Sequence, residues 1–99
     1  MTERRRGNRV LIRRAVDFSW DSGRAEGWGR DIGASGMFVE TGQHLAAGAD
    51  VQVTVHFRHA PQVSMAAQVC RSTPRGLALR FSNVGTAASC AISRVLARI

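Results

Sequence analysis

The chain has no lysine, and it has only two prolines and two cysteines among its 99 residues. Cys70 and Cys90 form no CxxC pair, and they read as small core or near-core residues of a reduced, soluble, cytoplasmic protein. The three histidines, His44, His56 and His59, make no metal-ligand spacing with them, so neither a metal nor a resident cofactor is expected. No apolar run approaches the ~20 residues that a membrane span needs. Residues 1–9 are polar and charged, unlike a signal peptide. Catalytic patterns are missing too: there is no Ser-His-Asp arrangement, no HExxH and no glycine-rich loop closing on Lys-Ser or Lys-Thr. The expectation is a protein without catalytic residues, not an enzyme.

What the chain does have is arginine. All fourteen basic residues are arginine, against seven acidic ones, for a net charge of +7. Residues 1–14 hold six arginines and one glutamate, a net +5, which leaves only +2 for the remainder. Such an end expects an anionic partner, and the planar guanidinium fork grips phosphate or a guanine edge through paired hydrogen bonds. The body is ordinary: 44% hydrophobic and 21% charged residues exclude wholesale disorder. A chain of this length buries roughly 65% of its unfolded surface, enough for one core and no separate catalytic domain.

Alternation dominates the body. Val51, Val53, Val55 and Phe57 alternate with Gln52, Thr54, His56 and Arg58, the pattern of a half-buried strand. Val10, Ile12, Val16, Phe18 and Trp20 share a face of an earlier strand, broken only by Arg14. Val63, Met65, Ala67 and Val69 form a third, Leu77, Leu79 and Phe81 a fourth, and Met37-Phe38-Val39 a short one that the glycine-rich segment 24–31 could pair with. Turn residues separate them at Asp21-Ser22-Gly23, Gly33-Ala34-Ser35-Gly36 (two glycines able to take φ > 0), Gly48-Ala49-Asp50, Ala60-Pro61 and Thr73-Pro74-Arg75-Gly76. The period then changes: Ala88, Ile92, Val95, Leu96 and Ile99 follow helical spacing. The pattern predicts an all-β domain of five or six antiparallel strands, with one C-terminal helix over about 86–98 laid across an open edge or mouth of a barrel.

Two constellations carry candidate binding chemistry. Arg5, Arg9 and Arg13 recur at spacings of four, with Arg9 directly before the first strand and Arg4 within the preceding basic arm of residues 1–9. The second is Arg30-Asp31-Ile32-Gly33-Ala34-Ser35-Gly36-Met37-Phe38-Val39. Asp31 at a strand end either bonds nearby backbone N–H groups or accepts the N1–H and N2–H of a guanine. Gly36 would let backbone approach a ligand with no Cβ in the way.

Together these residues resemble the PilZ domain family, whose pattern is RxxxR followed by [D/N]xSxxG. Arg5-x-x-x-Arg9 matches the first part, and Asp31-x-Gly33-x-x-Gly36, about 22 residues after Arg9, matches the second. The surroundings agree: Arg4-Arg5 before the strand, Gly36-Met37-Phe38-Val39-Glu40-Thr41 after the turn, Leu45 with Gly48 before Val51, Val69-Cys70-Arg71 in the fifth strand, and Gly76-Leu77-Ala78-Leu79-Arg80-Phe81 in the sixth. The resemblance covers essentially the whole chain. It implies a small six-stranded antiparallel β-barrel with one C-terminal α-helix, spanning 10–99 as a single domain. It also implies a receptor for cyclic di-GMP, a bacterial second messenger. Arg5 and Arg9 would grip phosphate and guanine, Asp31 the guanine edge, and Gly36 would close the turn. Gly33 stands where the family has serine, so one hydroxyl contact is missing. Ser35, two residues on, is the candidate substitute.

The implied function is non-enzymatic: a stand-alone receptor whose arginine arm folds over cyclic di-GMP and presents a new surface to an unidentified effector protein. The alternative is an interaction adaptor of the same fold whose altered site ignores the nucleotide. A third reading, an RNA- or DNA-binding barrel, has the basic arm in its favour but only Trp28 as a free aromatic for stacking, so nucleic acid is not the expected partner.

Overall fold

The computed structural model describes residues 9–57 and 62–97, and of Asn83 and Ala87 only the backbone. Six strands and a helix follow in order: β1 Val10–Trp20, β2 Gly23–Ile32, β3 Gly36–Glu40, β4 Asp50–Val55, β5 Val63–Thr73, β6 Gly76–Asn83 and α1 Gly85–Ala97. Every neighbouring pair is antiparallel, and the order β1-β2-β3-β6-β5-β4 closes on itself through β4 and β1. Closure is the physical solution to short, half-apolar strands. It satisfies every edge and turns one face of each strand inward.

The alternation read from the sequence is the barrel interior. Val16 and Phe18 of β1, Ile32 of β2, Met37 and Val39 of β3, Val51, Val53 and Val55 of β4, Met65, Ala67 and Val69 of β5, and Leu77 and Leu79 of β6 form one buried cluster. Each large side chain there contributes roughly 1.5–3 kcal/mol through burial. Helix α1 adds Ala88 and Ile92, one turn apart, to this cluster, with Val95 and Leu96 partly buried beside it. The helix packs against β5.

Departures from strict alternation occur at bulges. Between β1 and β2 the register shifts between Leu11 and Arg14, and Arg13 takes φ 52° within it. Arg14, the apparent break in the apolar face, sends its Nε to the His56 carbonyl at 3.0 Å instead of entering the core. Between β2 and β3 the register shifts between Gly29 and Asp31, so Arg30 is the extra residue.

Two expectations are corrected. Cys70 and Cys90 are both exposed. Cys70 follows buried Val69 at the β5 bulge, and Cys90 lies midway between Ala88 and Ile92, on the opposite side of the helix from that buried pair. The positive-φ glycines are Gly48, Gly76 and Gly85, and neither Gly33 nor Gly36 is among them. The β2–β3 turn closes instead with the Gly33 N–H donating to the Gly36 carbonyl at 2.8 Å.

Candidate functional site

In a regular strand, consecutive side chains point to opposite faces. The bulge at Arg30 suspends that rule. Gly29 and Ile32 are buried, while Arg30 and Asp31 between them are both part-exposed and touch each other. Two adjacent residues therefore stand together on the outer wall, at the end of β2 where the chain turns into β3. Asp31 is paired across the ladder with Leu11 of β1 on one side and Phe38 of β3 on the other.

Asp31 is the hub. Its Oδ1 accepts from Arg9 twice, from Nη2 at 2.7 Å and from Nε at 3.1 Å. Its Oδ2 accepts from the Nε of Arg30 at 3.1 Å. Among the described residues the carboxylate bonds no neighbouring backbone N–H, so the simple turn-capping role is not the one it takes. Its side chain is 15% exposed, against 48% for Arg9 and 39% for Arg30. Both cations reach a largely covered anion from the solvent side. The Arg30 guanidinium also lies 4.2 Å from the centroid of the Phe38 ring, within cation–π range.

The candidates from the sequence fall into three groups. Arg9, Asp31 and the Gly33–Gly36 turn converge at the β1 start and the β2–β3 corner. Arg4 and Arg5 lie outside the described residues. Ser35 is exposed, and its carbonyl accepts from the Phe81 N–H at 2.9 Å, which fastens the turn to β6. Arg13, spaced from Arg9 as Arg9 is from Arg5, sits at the β1 bulge and is exposed. Gly36 has a purely structural reason to be glycine: a Cβ built there would stand 2.2 Å from the Leu79 carbonyl oxygen. Arg30 and Phe38 received no role from the sequence. The only signal was an arginine directly before the aspartate, and it means nothing until a bulge turns both to one side. Trp28 is 47% exposed, as expected of a free aromatic, on β2 opposite Ala15 and Glu40.

A model of the PilZ domain family matches residues 3–98. The chain belongs to the PilZ domain family. Among the solved structures that share this PilZ fold are two PilZ proteins. One is the Bacillus subtilis inhibitor of motility MotI/DgrA, with a TM-score of 0.83 and 19% identity, covering 98% of this chain and 51% of that one. The other is YcgR from Escherichia coli, solved in complex with cyclic di-GMP, with a TM-score of 0.78 and 18% identity, covering 97% of this chain and 46% of that one. The PilZ chain thus spans about half the length of both. No match was found among curated protein sequences. The PilZ domain family is one of cyclic di-GMP receptors and adaptors rather than enzymes.

Proposed function

We propose that this PilZ domain is a non-enzymatic receptor for cyclic di-GMP. Its site is the Arg9–Asp31 cluster, and its output passes to a partner protein. The observation that carries the reading is the 2.7 Å contact between the Arg9 guanidinium and the Asp31 carboxylate, 22 residues apart in the chain. Arg9 and Asp31, each from a motif that is weak alone, meet at one place.

The chemistry of the exchange is simple. The N1–H and N2–H edge of guanine carries a pair of aligned donors that fits one carboxylate. Arg9 takes the Oδ1 that the base would need, with both of its donors on that one oxygen. When guanine arrives, Arg9 is released to the ligand's phosphate, and the carboxylate keeps its full set of donors. Two Arg9 donors leave Asp31 and two guanine donors replace them, each bond to the charged carboxylate contributing about 1.5–3 kcal/mol. The exchange at Asp31 is therefore close to even, and the net gain comes from Arg9 at the phosphate. Arg4 and Arg5 of the basic arm would add phosphate contacts and close over the nucleotide, making the new surface that a partner reads. The loss of the serine hydroxyl at Gly33 weakens binding by roughly tenfold at most. This reading places the protein in the bacterial cytoplasm with the messenger. It is consistent with the lack, among the described residues, of any helix long and apolar enough to cross a membrane.

A second reading has two observations in its favour. Both Asp31 oxygens already have partners, and Gly33 lacks the hydroxyl, so the fold could serve as an adaptor with a self-closed site. Calorimetric titration with cyclic di-GMP separates the two, with cyclic di-AMP as control. The receptor reading predicts heat for the parent protein and none for Arg9→Ala, Asp31→Ala or a chain lacking residues 1–9. No heat from the parent protein, together with a partner pull-down indifferent to the nucleotide, establishes the adaptor instead.

A further inference from the structure

Phe38 is the anomaly on the outer wall. It is 8% exposed, yet among the described buried apolar residues it alone stands outside the core cluster. Its neighbours Met37 and Val39, both fully buried, belong to that cluster. Alternation therefore turns the Phe38 ring outward, and the Arg30 guanidinium lies over it at 4.2 Å. The same guanidinium donates to Asp31 Oδ2. Arg30 is thus held at two points, by an aromatic face and by a carboxylate oxygen. For Arg9, the contacts among the described residues are those to Asp31 Oδ1 alone, and its side chain is the more exposed of the two.

We infer that Arg30, seated on Phe38, is a positioning residue that sets the plane of the Asp31 carboxylate for recognition of a guanine edge. The inference rests on the receptor reading above and assigns a part to a residue outside the RxxxR and [D/N]xSxxG pattern. A carboxylate on a strand is free to rotate about its terminal torsion, which is broad and roughly two-fold. Two parallel hydrogen bonds to a base need that rotation settled in advance, because freedom lost on binding subtracts from affinity. Arg9 cannot settle it, since Arg9 is the group exchanged for the ligand. Arg30 can: its single bond to Oδ2 leaves Oδ1 and the remaining Oδ2 lone pair for the incoming donors. The ring beneath keeps the guanidinium in place while Arg9 moves. Arg30 acts through Asp31, so its contribution concerns the base and not the phosphates.

The test compares cyclic di-GMP with cyclic di-IMP, which differs only by lacking the 2-amino groups and so reports the paired contact to the carboxylate. For each variant, calorimetry gives the ratio of the two affinities, and circular dichroism verifies the fold. Arg30→Ala is expected to weaken cyclic di-GMP about tenfold and to reduce the preference over cyclic di-IMP by a similar factor. Arg30→Lys keeps the charge without the planar fork and is expected to recover less than threefold of that loss. Phe38→Leu leaves every charge in place and removes the seat. A cation–π contact of about 0.5–1 kcal/mol corresponds to a loss of about two- to fivefold, again in the preference. Should Arg30→Ala or Phe38→Leu weaken both ligands equally, or should lysine restore the preference in full, Arg30 supplies charge only and the assignment is wrong. A parent protein that binds neither dinucleotide overturns the receptor reading itself, a different outcome from a parent that discriminates and variants that discriminate equally well.

Discussion

Replacing Gly36 with alanine separates two explanations of the same glycine. One holds that the missing Cβ makes room for a ligand, the other that it makes room for β6. A Cβ at this position would stand 2.2 Å from the Leu79 carbonyl oxygen, 3.2 Å from its carbon and 3.3 Å from the Arg80 Cα. All three are backbone atoms of the paired strand, in the register Gly36↔Arg80, so no side chain can rotate away. Relief requires β3 and β6 to part by about 1 Å, strain of the kind that overpacking produces, at about 1–3 kcal/mol. A weakened ladder hydrogen bond adds about 1 kcal/mol. We expect Gly36→Ala to destabilise the protein by about 2–4 kcal/mol and to lower Tm by about 10–20 °C for a domain of this size. Urea and thermal denaturation followed by circular dichroism measure both. Gly42→Ala is the control, because nothing lies within 4 Å of its built Cβ, and it should stay within about 0.5 kcal/mol of the parent. If Gly36→Ala melts with the parent and loses only ligand binding, the packing argument is refuted and the ligand-approach reading returns.

Other outcomes follow from particular residues. Gly33→Ser, which restores the family's hydroxyl at a position without positive φ, should tighten cyclic di-GMP by up to about tenfold in calorimetry; unchanged or weaker affinity would mean that the hydroxyl has no place in this turn. Both exposed cysteines should react with a thiol reagent in the native protein at rates close to those in denaturant, whereas strong protection of either would contradict its position outside the core. Phe18→Ala, at the centre of the barrel with 2% exposure and its ring centroid 5.8 Å from that of Trp20, should cost about 3–5 kcal/mol in denaturant unfolding; a cost below about 1 kcal/mol would mean that β1 does not anchor the interior.

The barrel was legible because a period of two is robust: Val51, Val53 and Val55 face inward wherever the ladder is regular. The helix was legible for the same reason, since Ala88 and Ile92 sit one turn apart. What escaped the sequence lies at the bulges. An extra residue reverses parity, and nothing in Arg30-Asp31 or Cys70-Arg71 announces one, because it arises from how three strands match in register. Hence Arg30 went unassigned. Cys70 and Cys90 read as near-core from the burial habit of free cysteine alone, whereas alternation after inward-facing Val69 and the helical spacing of Ala88 and Ile92 put both outside. The turn at Gly33–Gly36 was located correctly, but neither glycine has a left-handed backbone, and Gly36 answers to the closeness of β6. Of the site, Asp31 and Arg9 were legible as parts of spaced motifs. Their meeting was implied by the family resemblance and not by the spacing itself, because it depends on where the first strand begins relative to the β2–β3 corner.

That meeting is also the most direct point of attack. The imino proton of guanine N1 exchanges with water too fast to observe in free cyclic di-GMP, and a hydrogen bond to a carboxylate slows it. Proton NMR of the ligand with protein added should show a new, downfield imino resonance with the parent protein and none with Asp31→Ala. A bound nucleotide whose imino proton stays invisible, or one whose resonance survives the loss of Asp31, would contradict the exchange of Arg9 for guanine at this carboxylate.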